Sequence, residues 1–93
     1  MVGLTSTIDV SAPDFVQNAS VYADVLATYR ERLQWSAAGG GERMVERHRT
    51  RGKIPARERI DLLVDPLSPF LEFSSLACFG LYDNKVPAAG LVT

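Results

Sequence analysis

Three consecutive glycines at positions 39–41 constrain this chain most, because a helix does not pass through them undisturbed. Each glycine costs helix stability relative to alanine and readily adopts positive φ. One helix must therefore end before the triplet and another begin after it. Such a triplet could also cradle a phosphate at a helix start. Since no strand precedes it and no Gly-Lys-Ser/Thr follows at P-loop spacing, we interpret it as a helix connector.

The segment after the triplet carries most of the positive charge. Seven of the ten Lys and Arg residues lie between positions 39 and 66, although the formal net charge of the chain is -1. Up to position 59 only three glutamates oppose them, so residues 39–59 carry a charge of about +4. Such a polarised surface bears on the partners of the chain rather than on its fold. The seven are Arg43, Arg47, Arg49, Arg51, Lys53, Arg57 and Arg59.

Length and composition exclude several classes of protein. A chain of 93 residues forms at most one small domain. A single cysteine, Cys78, and a single histidine, His48, exclude an internal disulfide and a zinc constellation, and we expect no metal site. The sequence has no apolar run long enough for a membrane span and no basic leader at its start. We therefore expect a cytoplasmic protein without membrane association.

The first forty residues predict an arm and a long helix. Residues 1–13 are expected to form an extended N-terminal arm, and Ser11 is expected to cap the helix that follows. Spacings of 4, 3, 4, 3 and 4 predict a helix of about twenty residues with one apolar seam. We expect this seam to pack on its own domain in preference to forming a dimer zipper. The seam residues are Phe15, Ala19, Tyr22, Leu26, Tyr29 and Leu33.

Two shorter helices are predicted in the basic segment. The first covers residues 42–51, with Gly52 as the C′ residue and His48 partly buried as a packing residue rather than a catalyst. Pro55 pushes the preceding residue out of the α region and precedes a second helix over residues 56–64.

The remainder of the chain predicts short strands. Residues 70–74 alternate well enough for a strand, and residues 76–82 are either irregular or a second short strand. Residues 86–93 form an apolar run that is expected to begin another strand. Because an isolated strand pair is marginal and its edge is open, the chain is expected to be the front of a longer protein.

Several long motifs occur along the chain: GGGE at 39–42, RGK at 51–53, RERIDLLVDP at 57–66, PFLE at 69–72, GLYDN at 80–84 and VPAAGLVT at 86–93. Together, over roughly residues 15–93, they resemble the N-terminal segment of the carboxyltransferase (beta) subunits of biotin-dependent acyl-CoA carboxylases. The later motifs resemble the methylcrotonyl- and geranyl-CoA branch more than the propionyl-CoA branch. One departure is Leu67, which replaces the glycine usual after Asp-Pro and indicates a changed turn.

The resemblance implies an α/β, crotonase-like (ClpP/crotonase superhelix) carboxyltransferase fold. Residues 14–93 would be its truncated N-terminal part, a helical segment plus the first strands. The family transfers a carboxyl group to an acyl-CoA from biotin, which the partner biotin carboxylase/biotin carrier alpha subunit carries, and its beta subunits form homo-oligomers. The enolate oxygen is held by backbone N–H donors well downstream. No catalytic residue is therefore expected in this chain, and the fragment alone is expected to be inactive.

A CoA phosphate site is predicted around the break at Gly52. Arg49, Arg51, Lys53 and Arg57 cluster there, and arginine forks suit the 3′-phosphate and the pyrophosphate of CoA. The alternative is a solvated, salt-bridged helical face. In that case Arg57 and Arg59 would pair with Asp61 or Asp65.

A different function remains open, that of a free-standing helical interaction module or a basic-patch binding protein without catalysis. The basic segment could meet nucleic-acid phosphates. However, the isoelectric point is about 5.7, and Tyr22, Tyr29 and Trp35 lie outside the basic segment. Without an aromatic and basic platform, we expect no nucleic acid as partner.

Overall fold

The computed structural model describes residues 3–93; Met1 and Val2, which belong to the predicted arm, lie outside the described residues. The chain divides into two compact units, Met1–Arg30 and Glu31–Thr93. Residues 3–93 form helices and turns, and contain no β-strand. The elements are α1 (Pro13–Ala37), α2 (Glu42–Thr50), α3 (Ala56–Leu63) and two 3₁₀ turns, Tyr82–Asn84 and Pro87–Gly90.

The start of α1 differs from the prediction that Ser11 caps it. Ala12 provides the first helical acceptor, since its carbonyl oxygen accepts from the Val16 amide at 3.0 Å. The Ser11 hydroxyl and amide both donate to Asp9 Oδ1 instead, at 2.6 and 2.9 Å. The side-chain turn is thus closed by Asp9, just before the helix. Pro13 follows at the first helical position, where its missing N–H costs nothing.

This turn predicts a titration shift at Asp9. The Ser11 hydroxyl and, after it, the Ser11 amide stabilise the carboxylate, so the pKa of Asp9 lies below its ordinary value. The turn therefore gains stability above the unfolded-state pKa and loses it as the pH falls through the lowered value. Ser11→Ala should raise the pKa of Asp9 toward normal in an NMR titration, whereas Ser20→Ala should not. An unchanged Asp9 titration in Ser11→Ala would contradict this account.

The apolar seam of α1 lies largely in solvent within the first unit. Phe15, Tyr22 and Tyr29 expose 40%, 63% and 48% of their surface, and Leu26 is half-buried. The first unit by itself therefore does not cover this seam, and its packing on its own domain stays a prediction. The alternative of a dimer zipper stays open.

In the second unit, the glycine triplet separates α1 from α2 as predicted. Gly39 and Gly41 have φ values of 65° and 89°, which only glycine adopts at little cost. The Gly41 carbonyl accepts from the amides of Met44 and Val45, both at 3.0 Å, and so starts α2 without a side-chain cap.

The C-terminal turns of α1 hold the loop around residue 79. The rings of Trp35 and Phe79 meet edge to face, with centroids 5.1 Å apart. The Arg32 guanidinium carbon lies 4.5 Å from the centroid of Phe79, a cation–π contact. Trp35 Nε1 also donates to the Asn84 carbonyl at 3.2 Å. The side chains of Trp35 and Arg32 thus anchor the loop around residue 79, which has little regular structure.

The predicted strands at residues 70–74 and 86–93 are wrong. Two hydrogen bonds do join them, from the Phe73 amide to the Thr93 carbonyl at 2.6 Å and from Thr93 Oγ1 to the Phe73 carbonyl at 3.0 Å. However, Ser74 has φ 55°, and Ala88 and Ala89 have φ 52°. Strands require negative φ, so the backbone cannot continue a ladder beyond this contact.

Little of the chain is buried. Only Ser36 and Ala88 are buried among the described residues. The accessible surface is 8184 Å², compared with about 5,300 Å² expected for a folded monomer of this mass. Apolar side chains such as Leu63 and Phe73 remain 85% and 66% exposed. None of the helices in residues 3–93 combines the length and hydropathy needed to cross a membrane.

Leu67 adopts a left-handed backbone in the turn after Pro66. Its φ is 63°, the left-handed conformation that glycine adopts without a steric penalty. Its side chain is fully exposed and therefore gains no packing in return. This turn thus has a backbone suited to glycine while carrying a leucine, and the expectation that it differs from the turn of the family stays a prediction.

Leu67→Gly is expected to leave the fold intact and to stabilise it modestly. Relief of the left-handed penalty is worth about 1 kcal/mol, partly offset by the greater entropy of the unfolded glycine chain. The free energy of unfolding, measured in urea from the fluorescence of Trp35, checks this. Leu71→Gly is the matched control, since Leu71 is also exposed but is not among the residues with positive φ. The prediction fails if both glycine variants lose stability equally.

Candidate anion-binding site

The break between α2 and α3 has a defined geometry. Gly52, with φ 72°, donates its amide to the Arg49 carbonyl at 2.8 Å, and the Lys53 amide donates to the His48 carbonyl at 3.2 Å. These two bonds form a Schellman motif, which confirms Gly52 as the C′ residue of α2. They also satisfy carbonyl groups at the helix end, so the basic side chains nearby are not needed there.

Arg57 is a structural residue. Its Nη2 and Nε donate to Glu72 Oε1 at 2.5 Å and to Oε2 at 3.3 Å. Its Nη1 donates to the Ser36 carbonyl at 3.0 Å, and Nη2 also donates to Ser36 Oγ at 3.2 Å. The fully buried Ser36 hydroxyl in turn donates to the Ser75 carbonyl at 2.5 Å. The alternative pairing of Arg57 with Asp61 or Asp65 was therefore wrong, since Glu72 is the partner.

Arg49 is also paired, but at the surface. Its guanidinium forms a salt bridge with the carboxylate of Glu58 on α3, and the two side chains are 45% and 42% exposed. Exposed pairs of this kind contribute little to stability, typically about 0–1 kcal/mol. Arg49 and Arg57 border the same depression of about 220 Å³ together with Glu58. Both arginines thus already form salt bridges with glutamates.

Arg51 and Lys53 differ from those two arginines. Both side chains are exposed, and neither forms a salt bridge within residues 3–93. The structure therefore does not bring the four predicted residues together as one group of free cations. The predicted CoA phosphate site stays a prediction, with Arg51 and Lys53 as the cations that remain available for it.

The sequence interpretation missed Arg47 as a neighbour of Arg51. Met44, Arg47, His48 and Arg51 line one depression of about 240 Å³ on α2. Their spacing of i, i+3, i+4 and i+7 was the available signal, because it places all four on one helical face. His48 is exposed on this face rather than partly buried as predicted. Because α2 contains few apolar residues, it has no broad apolar face whose packing would bury the histidine.

Other chemistry has little support among the described residues. Within residues 3–93 no group of three His, Cys, Asp or Glu side chains could hold a metal ion. The thiol of Cys78 is free and half-buried.

The chain is related to the carboxyltransferase subunits of biotin-dependent acyl-CoA carboxylases. The methylcrotonoyl-CoA carboxylase beta chain, mitochondrial, of Arabidopsis thaliana is 40% identical over 90 residues, which cover 97% of this chain and 15% of the relative. The biotin-dependent 3-methylcrotonyl-coenzyme A carboxylase beta1 subunit of Mycobacterium tuberculosis is 44% identical over 82 residues, 88% of this chain and 15% of the relative. The propionyl-CoA carboxylase beta chain of Cereibacter sphaeroides is 43% identical over 75 residues, 75% of this chain and 14% of the relative.

These similarities confirm the resemblance that the sequence motifs predicted. No protein-family profile matches the chain. The chain spans about 15% of the length of the curated relatives it matches.

The Arg57 network predicts a clear loss of stability on substitution. Arg57→Gln leaves the Glu72 carboxylate, 21% exposed, without its charged partner. We expect a loss of about 1–3 kcal/mol in the free energy of unfolding, measured in urea from Trp35 fluorescence.

Arg59→Gln is the matched control for this prediction, since Arg59 is an exposed arginine on the same helix. The double variant Arg57→Met/Glu72→Leu removes both charges and should recover part of the loss. Equal effects of Arg57→Gln and Arg59→Gln would show that the network contributes nothing particular.

Proposed function

We propose that the chain is the N-terminal portion of a carboxyltransferase component of a biotin-dependent acyl-CoA carboxylase. The observation that carries this proposal is the similarity over nearly the whole chain, at 40% identity over 97% of its residues. For the substrate branch we propose a methylcrotonyl- or geranyl-CoA-like acyl group. The two methylcrotonyl relatives cover 97% and 88% of this chain and the propionyl relative covers 75%, and this difference supports that branch.

Within such a component, the role we propose for this chain is to contact the phosphates of the acyl-CoA. Arg51 and Lys53 carry that role because they are exposed cations at the Gly52 break, and arginine forks match phosphate oxygens. Arg49 and Arg57 belong to the same predicted site, but they would support it indirectly, by positioning α3 rather than by contacting the phosphate. Their pairs with Glu58 and Glu72 fix α3 relative to neighbouring segments of the second unit.

The reaction that this proposal implies needs groups beyond those described. The acyl chain loses a proton at its α-carbon, or at the γ-carbon when it is vinylogous, and the enolate oxygen must be held by N–H donors. We assign neither role to this chain. We extend the proposal to the crotonase-like fold, with residues 14–93 as its N-terminal part. It also includes the alpha subunit as partner, a homo-oligomer of beta subunits and a cytoplasmic location, although the Arabidopsis relative is named as mitochondrial.

Biotin belongs to this proposal as a group that the partner subunit carries, and we assign no residue of this chain to hold it. No step is therefore derived through biotin here. The chemistry that this group supplies when bound is the donation of the carboxyl group.

A second candidate is a helical interaction module without catalysis. The observation that favours it is the exposed seam on α1, where Phe15, Tyr22 and Tyr29 lie open to solvent. An apolar stripe of this kind commonly contacts another helix.

The proposal is tested by a chimaera in which residues 3–93 replace the matched segment of the Mycobacterium tuberculosis beta1 subunit. We expect the chimaera to carboxylate 3-methylcrotonyl-CoA. Arg51→Gln and Lys53→Gln should each raise KM by about tenfold with little change in kcat, because phosphate contacts are made equally in ground and transition states.

Arg43→Gln is the control for this experiment, since it removes an exposed charge from α2 outside the Gly52 break. A chimaera that folds but transfers no carboxyl group would overturn the proposed function. An active chimaera whose KM is unchanged in Arg51→Gln and Lys53→Gln would overturn the role of these two residues.

A further inference from the structure

Two adjoining depressions on α2 share two of their lining residues. One, of about 240 Å³, is the cationic depression that contains Arg47 and Arg51. The other has about 320 Å³ and is mainly apolar. Met44 and His48 belong to both, so the two form one trough within the second unit. The apolar part is lined by Gly39, Gly40, Met44, Val45, His48 and Pro55.

The cationic half of the trough holds two arginines that the fold does not use. Arg47 and Arg51 are four residues apart, which places them on the same side of α2. Neither forms a salt bridge within the described part of the chain, in contrast to Arg49 and Arg57. Two guanidinium groups beside one depression suit an anion with several oxygens, such as a phosphate.

The apolar half is shaped by close approach of the backbone. A Cβ atom added at Gly40 would lie 3.4 Å from Met44 Cβ and 3.6 Å from its Cγ. The missing side chain therefore keeps this wall open. Val45 and Pro55 are half-buried and form the rest of the apolar lining. The volume of about 320 Å³ reaches the range of about 300–1,000 Å³ found for small-ligand sites.

The two halves together define the chemistry of a ligand. Met44 and His48 lie between them, and a methionine thioether packs well against the edge of a flat ring. A heteroaromatic ring in the apolar half would place an attached phosphate near Arg47 and Arg51. An isolated phosphate would leave the apolar half empty, whereas an apolar molecule would leave both arginines unpaired.

We propose that this trough on α2 is a bipartite site for a phosphorylated heteroaromatic group of the nucleotide type. The ring lies against Gly40, Met44 and Val45, and the phosphate lies between Arg47 and Arg51. Only the identity of the natural ligand rests on the proposed function, under which this group is the nucleotide end of an acyl-CoA. The trough itself is argued from the lining residues and their unpaired charges.

The test titrates the full 93-residue chain with three probes: adenosine 3′,5′-bisphosphate, adenosine and inorganic phosphate. NMR shifts report the contacts and calorimetry reports the affinity. We expect the bisphosphate to bind at least about tenfold more tightly than either of the other two probes, because it fills both halves. A bisphosphate that binds no more tightly than inorganic phosphate overturns the proposal without any need for a variant.

Variants separate the two halves of the trough. Arg47→Gln and Arg51→Gln should each weaken the bisphosphate and inorganic phosphate by about tenfold and leave adenosine unchanged. Gly40→Leu should weaken the bisphosphate and adenosine but not phosphate. Its backbone φ lies outside the left-handed range, so the new side chain carries no conformational strain.

Arg43→Gln is the matched control, because it removes the same charge from the same helix outside the trough. An equal loss of bisphosphate affinity in Arg43→Gln would mean general attraction by the basic helix and would overturn the proposal. These results are separable from those on the proposed function. In the active chimaera described above, an effect of Lys53→Gln on KM without any effect of Gly40→Leu would keep the carboxylase assignment and reject the trough.

Discussion

The second unit depends on one guanidinium group. Arg57 makes four of the hydrogen bonds that a planar fork of five N–H donors can make, two to Glu72 and two to Ser36. These bonds join α3 to the last turn of α1 and to the loop that carries Glu72. Ser36, the most deeply buried residue described, completes the junction by donating to Ser75. A polar network of this kind must be fully satisfied to be stable, and here every buried side-chain polar atom described has a partner.

Polar bonds take this role because apolar packing is sparse. Ile60 of α3 and Val64, which follows the helix, are half-buried, but Leu63 is 85% exposed and its neighbour Leu62 is 77% exposed. Burial of apolar surface stabilises a fold by about 25 cal/mol per Å², and the exposed side chains do not contribute this stabilisation. The chain also spans only about 15% of the relatives it matches. Specific hydrogen bonds and the contact of Trp35 with Phe79 therefore determine most of the arrangement of the second unit.

The helices could be predicted because their ends depend on neighbouring residues. Features that depend on residues far apart in the sequence could not be predicted. The glycine triplet and Gly52 act through backbone dihedrals, which depend on the residue itself, so α2 and α3 begin where predicted and end within one residue of the prediction. Strands require partners, and the alternation of residues 70–74 carried no information about the φ of 55° at Ser74. The sequence likewise placed Arg57 in a candidate site but could not identify Glu72, fifteen residues away, as its partner. Asp61 and Asp65 were nearer along the chain.

The basic segment thus contains cations of two kinds, although its sequence makes them look alike. Arg49 and Arg57 have acidic partners on or beside α3, so a ligand would have to displace a carboxylate to reach them. Arg47, Arg51 and Lys53 have no such competitor within the described residues. Because an anion gains most from cations that are not already neutralised, the face of α2 and the Gly52 break suit the proposed phosphate contacts better than the depression beside Glu58 does. Arg57 holds the junction together because it is neutralised, and Arg51 is available to a ligand because it is not.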